Sequence, residues 1–129
     1  MRLLTDTHTL LWLARQSQRL SPVARTLLAD AANEVLFSAA SVWELSIKHH
    51  LGKLPEAAPV IDGFAELTRR FSARPLSLGP AHARLAGALD WAHRDPFDRM
   101  LAAQAILESA TLVSCDEVFD QIPDLRRLW

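Results

Sequence analysis

The sequence has a single cysteine, almost no net charge and no long apolar run, and each of these features excludes a class of protein. A single cysteine, Cys115, cannot form an internal disulfide, which is typical of proteins from a reducing compartment. The 14 basic and 15 acidic residues leave a formal net charge of −1, so no molecule-wide basic field would attract nucleic acid. No run approaches the roughly 18 apolar residues of a membrane span, and no apolar signal core precedes the first acid. We therefore expect a cytoplasmic protein without a membrane segment, in which any polyanion is held by a local patch.

What the chain does contain is enough apolar residues for a core. Half of its 129 residues are hydrophobic, which indicates a globular chain rather than a disordered one. No internal repeat or low-complexity stretch divides it, and the two prolines between residues 53 and 59 indicate a connector, not a domain linker. We expect a single domain over residues 1–129.

Short apolar segments alternate with helical patterns along the chain. Predicted strands cover residues 2–5, 35–37, 75–78 and 111–115, with a short edge strand within 124–129. Predicted helices cover residues 9–14, 22–33, 42–51, 61–71, 80–91 and 96–108. Ser21 and Pro22 form a typical helix start, and Gly52 is a typical stop. The alternation predicts an α/β fold: a three-layer α/β/α sandwich with a mostly parallel central sheet.

Four acids occupy comparable positions in this predicted topology. Asp6 and Asp116 each follow a strand, whereas Glu44 and Asp98 each lie in the predicted first turn of a helix. Helices packed on a parallel sheet run antiparallel to its strands, so helix starts and strand ends share one edge. Carboxylates gathered there repel one another unless a cation neutralises them. Oxygen ligands favour Mg²⁺ or Mn²⁺ over Zn²⁺.

Each acid also has an explanation as a helix cap. Residues 41–44 match a capping box, in which Glu44 returns a hydrogen bond to the helix start, and Lys48 is placed to pair with it. Asp95 is a typical N-cap before Pro96, with Asp98 favoured in the first turn by the helix dipole. Asp6 and Asp116 are placed to cap the helices that follow them. Capping does not explain why all four acids share one edge.

Other residues near this edge are candidates for supporting roles. We list Ser114, Thr7, Asp95 and Arg99 as candidates for contacting substrate or orienting the acids. Ser114 is placed to orient Asp6, and Arg99 or Arg94 to hold a phosphate oxygen. We expect His93 to be a surface histidine and Cys115 to be a small buried apolar residue.

Four segments together resemble the PIN-domain ribonucleases, and within them the VapC-type toxins of bacterial type II toxin–antitoxin pairs. They are residues 3–12, which include Asp6; 41–48, which include Glu44; 95–105, with Asp-Pro-Phe-Asp-Arg before an Ala-rich helix; and 112–116, which end on Asp116. The resemblance implies an endoribonuclease dependent on Mg²⁺ or Mn²⁺, with metal-binding acids at Asp6, Glu44, Asp98 and, more variably, Asp116. It also implies a small antitoxin partner, an RNA substrate and a homodimer.

The mechanism that follows is metal-assisted hydrolysis of RNA phosphodiester bonds. One alternative is a PIN-fold binding module with little or no catalysis, which acts mainly through its partner protein. Another is an enzyme of the aspartyl-phosphate type, which usually has a second acid two residues after the first and a lysine near the last strand. Here His8 stands at that second position and no lysine follows Leu112, which disfavours this alternative.

The predicted surface carries more apolar area than one sandwich needs. Trp43, Ile47 and Leu51 recur every four residues on the third helix, and Leu45 widens that face. Large apolar patches usually mark protein interfaces. We therefore expect a homodimer, and an antitoxin over the groove beside Glu44 and the face from Lys48 to Lys53. The simplest inhibitor would insert an Arg or Lys side chain among the carboxylates.

Overall fold

The centre of the molecule is a five-stranded sheet in the order β3-β2-β1-β4-β5, seen in a computed structural model that describes all 129 residues. Every pairing in it is parallel, with Leu3 beside Val35 on one side of β1 and Leu4 beside Leu112 on the other. The strands are β1 (Arg2–Thr5), β2 (Glu34–Ser38), β3 (Arg74–Leu76), β4 (Thr111–Val113) and β5 (Arg127–Leu128). The predicted α/β class with a parallel sheet is confirmed.

Helices cover both faces of this sheet. They are α1 (Thr7–Ala14), α2 (Pro22–Ala29), α3 (Ala39–His50), α4 (Ala58–Asp62), α5 (Phe64–Arg70), α6 (Pro80–Ala88) and α7 (Pro96–Leu107). Two 3₁₀ segments, Pro55–Ala57 and Glu117–Gln121, complete the chain. None of the helices combines the length and the apolar content that a membrane span needs.

The strands divide their side chains between two apolar clusters. Leu3 and Phe37 belong to one cluster, in which they pack with residues of α1, α2 and α4. Leu4, Leu36 and Leu112 belong to the other cluster, in which they pack with residues of α7. This division follows from the two-residue period of a strand, which sends successive side chains to opposite faces. Because both faces are covered, the central residues of β1, β2 and β4 are apolar, and each fully buried leucine stabilises the fold by about 2 kcal/mol.

Helix α3 starts earlier than the sequence predicts. Ser38 ends β2 and caps the helix by accepting a hydrogen bond from the Ala40 N–H at 3.0 Å, so α3 begins at Ala39 rather than near residue 42. The capping box predicted for residues 41–44 is therefore wrong, and Glu44 lies in the second turn. The reason is local: two alanines after Ser38 are good helix formers and leave no need for a loop.

Other boundaries differ where proline or glycine intervenes. The helix predicted over residues 61–71 is divided in two, because Gly63 separates α4 from α5. Helix α4 begins before residue 61, with Pro59 in its first turn. Helix α6 stops at Ala88, since Leu89 has an extended backbone. Strands β3 and β4 are shorter than predicted, whereas the predicted edge strand is present as β5.

The apolar stripe of α3 faces outward. Trp43, Ile47 and Leu51 are 55%, 38% and 58% exposed, while Leu45 is fully buried on another face of the helix. The side of α3 that packs inward carries small and polar residues, Ser41 and Glu44 among them. The stripe therefore lies open on the surface rather than widening the buried face.

Candidate active site

The carboxyl ends of β1, β2 and β4 meet the first turns of α1, α3 and α7 at one edge of the sheet. Two buried hydrogen bonds tie these elements together. The Thr7 hydroxyl donates to Ser41 Oγ at 3.1 Å and links α1 to α3. The Ser38 hydroxyl donates to Gln104 Oε1 at 2.5 Å and links the end of β2 to α7. The predicted candidate Thr7 thus lies at this edge, where it holds two helix starts in register.

Asp6 is a buried acid of this edge whose two carboxylate oxygens both accept hydrogen bonds. Only 5% of the residue is exposed, and it is the N-cap of α1, with Oδ1 accepting from the Thr9 N–H at 2.8 Å. Its Oδ2 accepts from the Ser114 hydroxyl at 2.5 Å, which is the contact expected for Ser114. Burial raises the pKa of Asp6, although the hydrogen bonds from Ser114 and Thr9 oppose the rise. The site therefore holds a carboxylate that its surroundings make costly to ionise.

Asp116 is joined to Asp6 through one residue. Ser114 Oγ accepts from the Asp116 N–H at 3.1 Å while its hydroxyl donates to Asp6. The Asp116 side chain is exposed and accepts from the Val118 N–H at 3.0 Å, which caps the 3₁₀ segment after β4. Its carboxylate is thus accessible to solvent at the rim of the edge.

The expectation that Cys115 is buried is wrong. Cys115 is exposed, because β4 ends at Val113 and the chain has already left the sheet. Partial desolvation of its sulfur raises the pKa of the thiol, and the negative charges of Asp6 and Asp116 add to the rise. The thiol is therefore near enough to two acids of the edge for their charges to act on it.

Glu44 lies on the inward side of α3 with 4% exposure. Its Oε2 is 2.5 Å from Lys48 Nζ, and the lysine is half-buried. This pair is the one expected if Glu44 has a purely structural role. The ammonium group supplies a positive charge to a carboxylate that is otherwise removed from water.

Asp98 lies in a small cluster of its own. Ligand atoms of His93, Asp95 and Asp98 all lie within 4.8 Å of one another, and His93 Nε2 is 2.7 Å from Asp98 Oδ2. Asp95 caps α7 as predicted, by accepting from the N–H groups of Phe97 and Asp98. The pKa of Asp98 is raised to about 6: burial is the main cause, the charges of Asp95 and Glu44 contribute to the rise, and the His93 hydrogen bond opposes it.

The four predicted acids share the edge but do not form one tight ligand cluster. Among His, Cys, Asp and Glu residues, only His93, Asp95 and Asp98 form a group of three with ligand atoms within 4.8 Å. Asp6, Glu44 and Asp116 each take a partner nearby instead. His93, which was expected to be an ordinary surface residue, therefore belongs to the site. Its place in the loop just before the Asp95 cap was the available sequence signal.

Arg99 has a different environment from the one expected. Its guanidinium donates to the backbone carbonyls of four residues at 2.8–3.0 Å: Ala86, Leu89, Trp91 and His93. These bonds engage most of its N–H groups and hold the loop between α6 and α7, so Arg99 positions His93. Arg94, in the same loop, is exposed. Arg94 is thus the better placed of the two for a phosphate.

A family model for the PIN domain matches residues 3–125 of the chain. The chain belongs to the PIN domain family. The matched range contains all four predicted acids as well as His93, and the expected resemblance is confirmed at this level.

Individual PIN domain proteins extend the comparison. The chain is 41% identical to Ribonuclease VapC16 of Mycobacterium tuberculosis over 58 residues, which are 45% of this chain and 41% of that protein. The match thus spans less than half the length of the curated relative. Among solved structures, VapBC2 from Rickettsia felis bound to a DNA fragment has a TM-score of 0.71 at 20% identity, covering 99% of this chain and 98% of that one. FitAcB from Neisseria gonorrhoeae has a TM-score of 0.64 at 22% identity, covering 98% and 96%. These likenesses establish the shared fold.

The side chains of this PIN domain edge suit a hard divalent cation. Asp6 and Glu44 are at least 95% buried, and the pKa of Asp6 and of Asp98 is raised, so a positive ion would relieve an electrostatic cost. Carboxylate oxygens dominate the donor set, as Mg²⁺ and Mn²⁺ prefer, and the His93 imidazole is a further donor acceptable to Mn²⁺. The residues present therefore fit the expected metal.

Proposed function

We propose that this PIN domain is an endoribonuclease that uses Mg²⁺ or Mn²⁺, and that it is the toxin of a type II toxin–antitoxin pair. The observation that carries the proposal is the burial of two carboxylates, Asp6 and Glu44, at the same edge as Asp98. Burying acids is costly unless cations neutralise them, and groups with a raised pKa, such as Asp6 and Asp98, gather at functional sites. The likeness to a protein named Ribonuclease VapC16 supports RNA as the substrate.

Asp6, Glu44 and Asp98 would hold the cation, with Asp116 at the exposed rim. Held by these residues, a divalent cation would lower the pKa of a bound water molecule and would neutralise charge on the scissile phosphate. Ser114 and the Thr9 N–H fix the Asp6 carboxylate so that both oxygens keep one orientation. The His93 hydrogen bond does the same for Asp98.

Lys48 has a role in the state without metal. Its ammonium pairs with Glu44 at 2.5 Å and partly offsets the buried charge. Because the lysine side chain is long and half-buried, it can swing aside when a cation takes over the carboxylate. Arg94 is exposed at the same edge and is placed to hold a phosphate oxygen.

The antitoxin and a second copy of the chain are the proposed protein partners. The Lys48–Glu44 pair supports the idea that a basic side chain can occupy the acidic site, since an ammonium already does so. Trp43, Ile47 and Leu51 form an exposed stripe, and Trp43 also lines an apolar hollow of about 350 Å³ together with Phe64 and Leu76. Exposed apolar surface of this kind supports a protein contact, and we assign it to the homodimer.

A cleavage assay tests the enzyme proposal. Purified chain should cut single-stranded RNA in Mg²⁺ or Mn²⁺ and lose that activity in EDTA. Glu44→Gln and Asp98→Asn should each abolish cleavage. Asp124→Asn is the matched control, because Asp124 is exposed and lies near Thr111 at the opposite edge of the sheet. Equal cleavage by all three variants would contradict the proposal.

A second candidate function is a binding module without catalysis. It is favoured by the partners of the acids, since Asp6, Asp95 and Asp116 are all helix caps and Glu44 has an ion pair. If the chain bound its partner protein but never cut RNA at any metal concentration, this function would replace the first.

A further inference from the structure

A cleft separate from the acids runs along one face of α1. His8, Trp12 and Arg15 follow one another at helical spacing, and together with Arg19 and Glu56 they line a cavity of about 410 Å³. This volume is within the range of small-ligand sites. His8 lies at the end nearest the acids, close enough for its charge to lower the pKa of Asp6. The cleft thus leads to the edge where cleavage is proposed.

An aromatic plane forms the floor of this cleft, which we call the α1 cleft. The Trp12 ring lies 5.7 Å from the His8 ring and 5.8 Å from the Trp129 ring between centroids, and it is tilted against both. Trp12 also packs against the apolar cluster under α1, which fixes its position. A half-buried tryptophan held in this way presents a rigid surface at little entropic cost.

The guanidinium of Arg19 lies over the ring of Trp12. Its carbon is 6.0 Å from the ring centroid, at the outer limit of a cation–π contact. Arg19 is exposed, so it can move aside or close over a ligand. The Trp12 ring is therefore able to stack with a flat partner that enters the cleft.

Positive charge flanks the aromatic plane. Arg15 and Arg19 are both exposed, and the single acid of the lining, Glu56, lies 4.0 Å from Arg15 Nη1. An exposed pair at that distance contributes little, so the guanidinium of Arg15 remains free to bind an anion. Aromatic planes beside arginines are the arrangement that binds single-stranded nucleic acid, through base stacking and phosphate contacts.

The composition of the lining favours RNA over protein. Three of the eight residues that line the α1 cleft are apolar, whereas five of the seven lining the hollow beside Trp43 are apolar. Protein interfaces concentrate apolar side chains at their centre, and nucleic-acid sites are more polar and cationic. The two surfaces therefore suit different partners.

We propose that the α1 cleft is a subsite for one nucleotide of single-stranded RNA, whose base stacks on Trp12 while Arg15 and Arg19 hold the flanking phosphates. This inference rests on the proposed ribonuclease function and adds to it a binding contact with RNA outside the acidic edge. A nearly neutral protein needs such a local patch, because its carboxylates repel the strand that they are meant to cut.

The test is binding of a fluorescent single-stranded oligoribonucleotide, measured by anisotropy on the full chain carrying Asp98→Asn to block cleavage. Trp12→Leu should raise Kd roughly 5- to 100-fold, the effect of losing one stacked base, and Trp12→Phe should retain most of the affinity. Arg15→Gln and Arg19→Gln should each reduce the slope of log affinity against log salt by about 0.7. Glu56→Gln should tighten binding, because it removes the one negative charge among the residues that line the cleft. Arg84→Gln, at an exposed arginine on α6, is the control and should change nothing.

Wild-type cleavage, measured in parallel, separates this inference from the proposed function. If wild type cuts RNA but the cleft variants bind it like the parent, the subsite is wrong and the ribonuclease stands. If wild type does not cut RNA and Trp12→Leu still weakens RNA binding, the subsite stands and the ribonuclease fails. If the variants weaken binding of the antitoxin but not of RNA, the cleft is a protein groove and the inference is overturned. Should Trp12→Leu fail to fold, the Trp12→Phe, arginine and Glu56 variants decide the question.

Discussion

Among single residues, Asp6 is both the N-cap of α1 and a buried charged group. Loss of the cap should lower the stability of the protein, whereas loss of the buried charge should not. Asp6→Asn keeps a good N-cap for the Thr9 N–H and removes a charge that burial disfavours. We expect a melting temperature in EDTA that is equal to or above that of wild type, with RNA cleavage abolished. Asp6→Ala, which loses the cap, should cost about 1 kcal/mol. A clearly lower melting temperature for Asp6→Asn would mean that the carboxylate itself is structural.

Asp95 and Asp98 are three residues apart but should behave differently. Asp95→Ala removes the cap of α7 and should cost about 0.5–2 kcal/mol while leaving much of the activity. Asp98→Ala should leave stability unchanged or improved, since its charge is disfavoured by burial, and should abolish cleavage. Denaturant unfolding and RNA cleavage on both variants check this, and swapped results would reverse the assignment.

The raised pKa of Asp98 predicts how stability depends on pH. Its pKa is about 6 in the folded state against 3.8 for an ordinary aspartate, so the folded protein binds this proton more tightly than the unfolded chain. The stabilisation is complete below about pH 4 and is lost as pH rises through 6, on the order of 2 kcal/mol. Urea unfolding in EDTA between pH 4 and 8 should show this loss in wild type. Asp98→Asn should flatten the curve, and an unchanged curve would contradict the assignment.

Capping was predictable from the sequence because it depends on neighbouring residues. Asp95 before Pro96 and Ser21 before Pro22 are both observed as N-caps. The bond from Ser114 to Asp6 joins residues 108 positions apart, and only the expectation that strand ends share one edge of a parallel sheet could suggest it. His93 lies just before the Asp95 cap, but its approach to Asp98 depends on the loop that Arg99 holds, so the sequence signal alone did not assign it to the site.

At the scale of single elements, the loop between α6 and α7 depends on one side chain. Arg99→Lys keeps the positive charge but cannot reproduce the forked donors that serve the carbonyls of Ala86, Leu89, Trp91 and His93. We expect a loss of about 2 kcal/mol or more in unfolding free energy, because buried carbonyls lose their partners. Mg²⁺ affinity should fall with it, as His93 and Asp98 lose their mutual geometry. If stability were unchanged, Arg99 would be a phosphate contact after all.

Helix α3 shows why the sequence did not predict which face of a helix is buried. Its apolar period selected Trp43, Ile47 and Leu51, yet the face that packs inward contains Ser41 and Glu44. That face is buried because Ser41 meets Thr7 of α1 and Glu44 belongs to the acidic edge, and these are tertiary contacts. Periodicity identifies an apolar face but does not say whether the core or another protein covers it.

For the whole molecule, the proposed inhibition makes a prediction about metal. If the antitoxin inserts a basic side chain among the carboxylates, it competes with the cation, as Lys48 already does at Glu44. The concentration of antitoxin that halves cleavage should therefore rise with Mg²⁺. In a matched titration without antitoxin, Lys48→Met should need less Mg²⁺ for cleavage than wild type, because an internal competitor of the metal is gone. Inhibition that is equal at every Mg²⁺ concentration would indicate that the antitoxin only blocks access of RNA.

The architecture as a whole followed from the alternation of short apolar segments and helical patterns. That alternation predicts parallel strands with helices on both faces, and the family match over residues 3–125 agrees with it. The strand order β3-β2-β1-β4-β5 did not follow, because it depends on which crossover each helix makes.

The position of β1 between β2 and β4 has a consequence for the time at which the acidic edge assembles during synthesis. Residues 2–5 are synthesised long before their second neighbour, residues 111–113. Pairings of such long sequence separation close slowly and only after the intervening chain exists. Until then Asp6 lacks Ser114, and the first strand has one open side. A chain synthesised only up to β4 therefore lacks an assembled acidic edge, because the residues that would hold a cation come together only after residues 111–113 have been made.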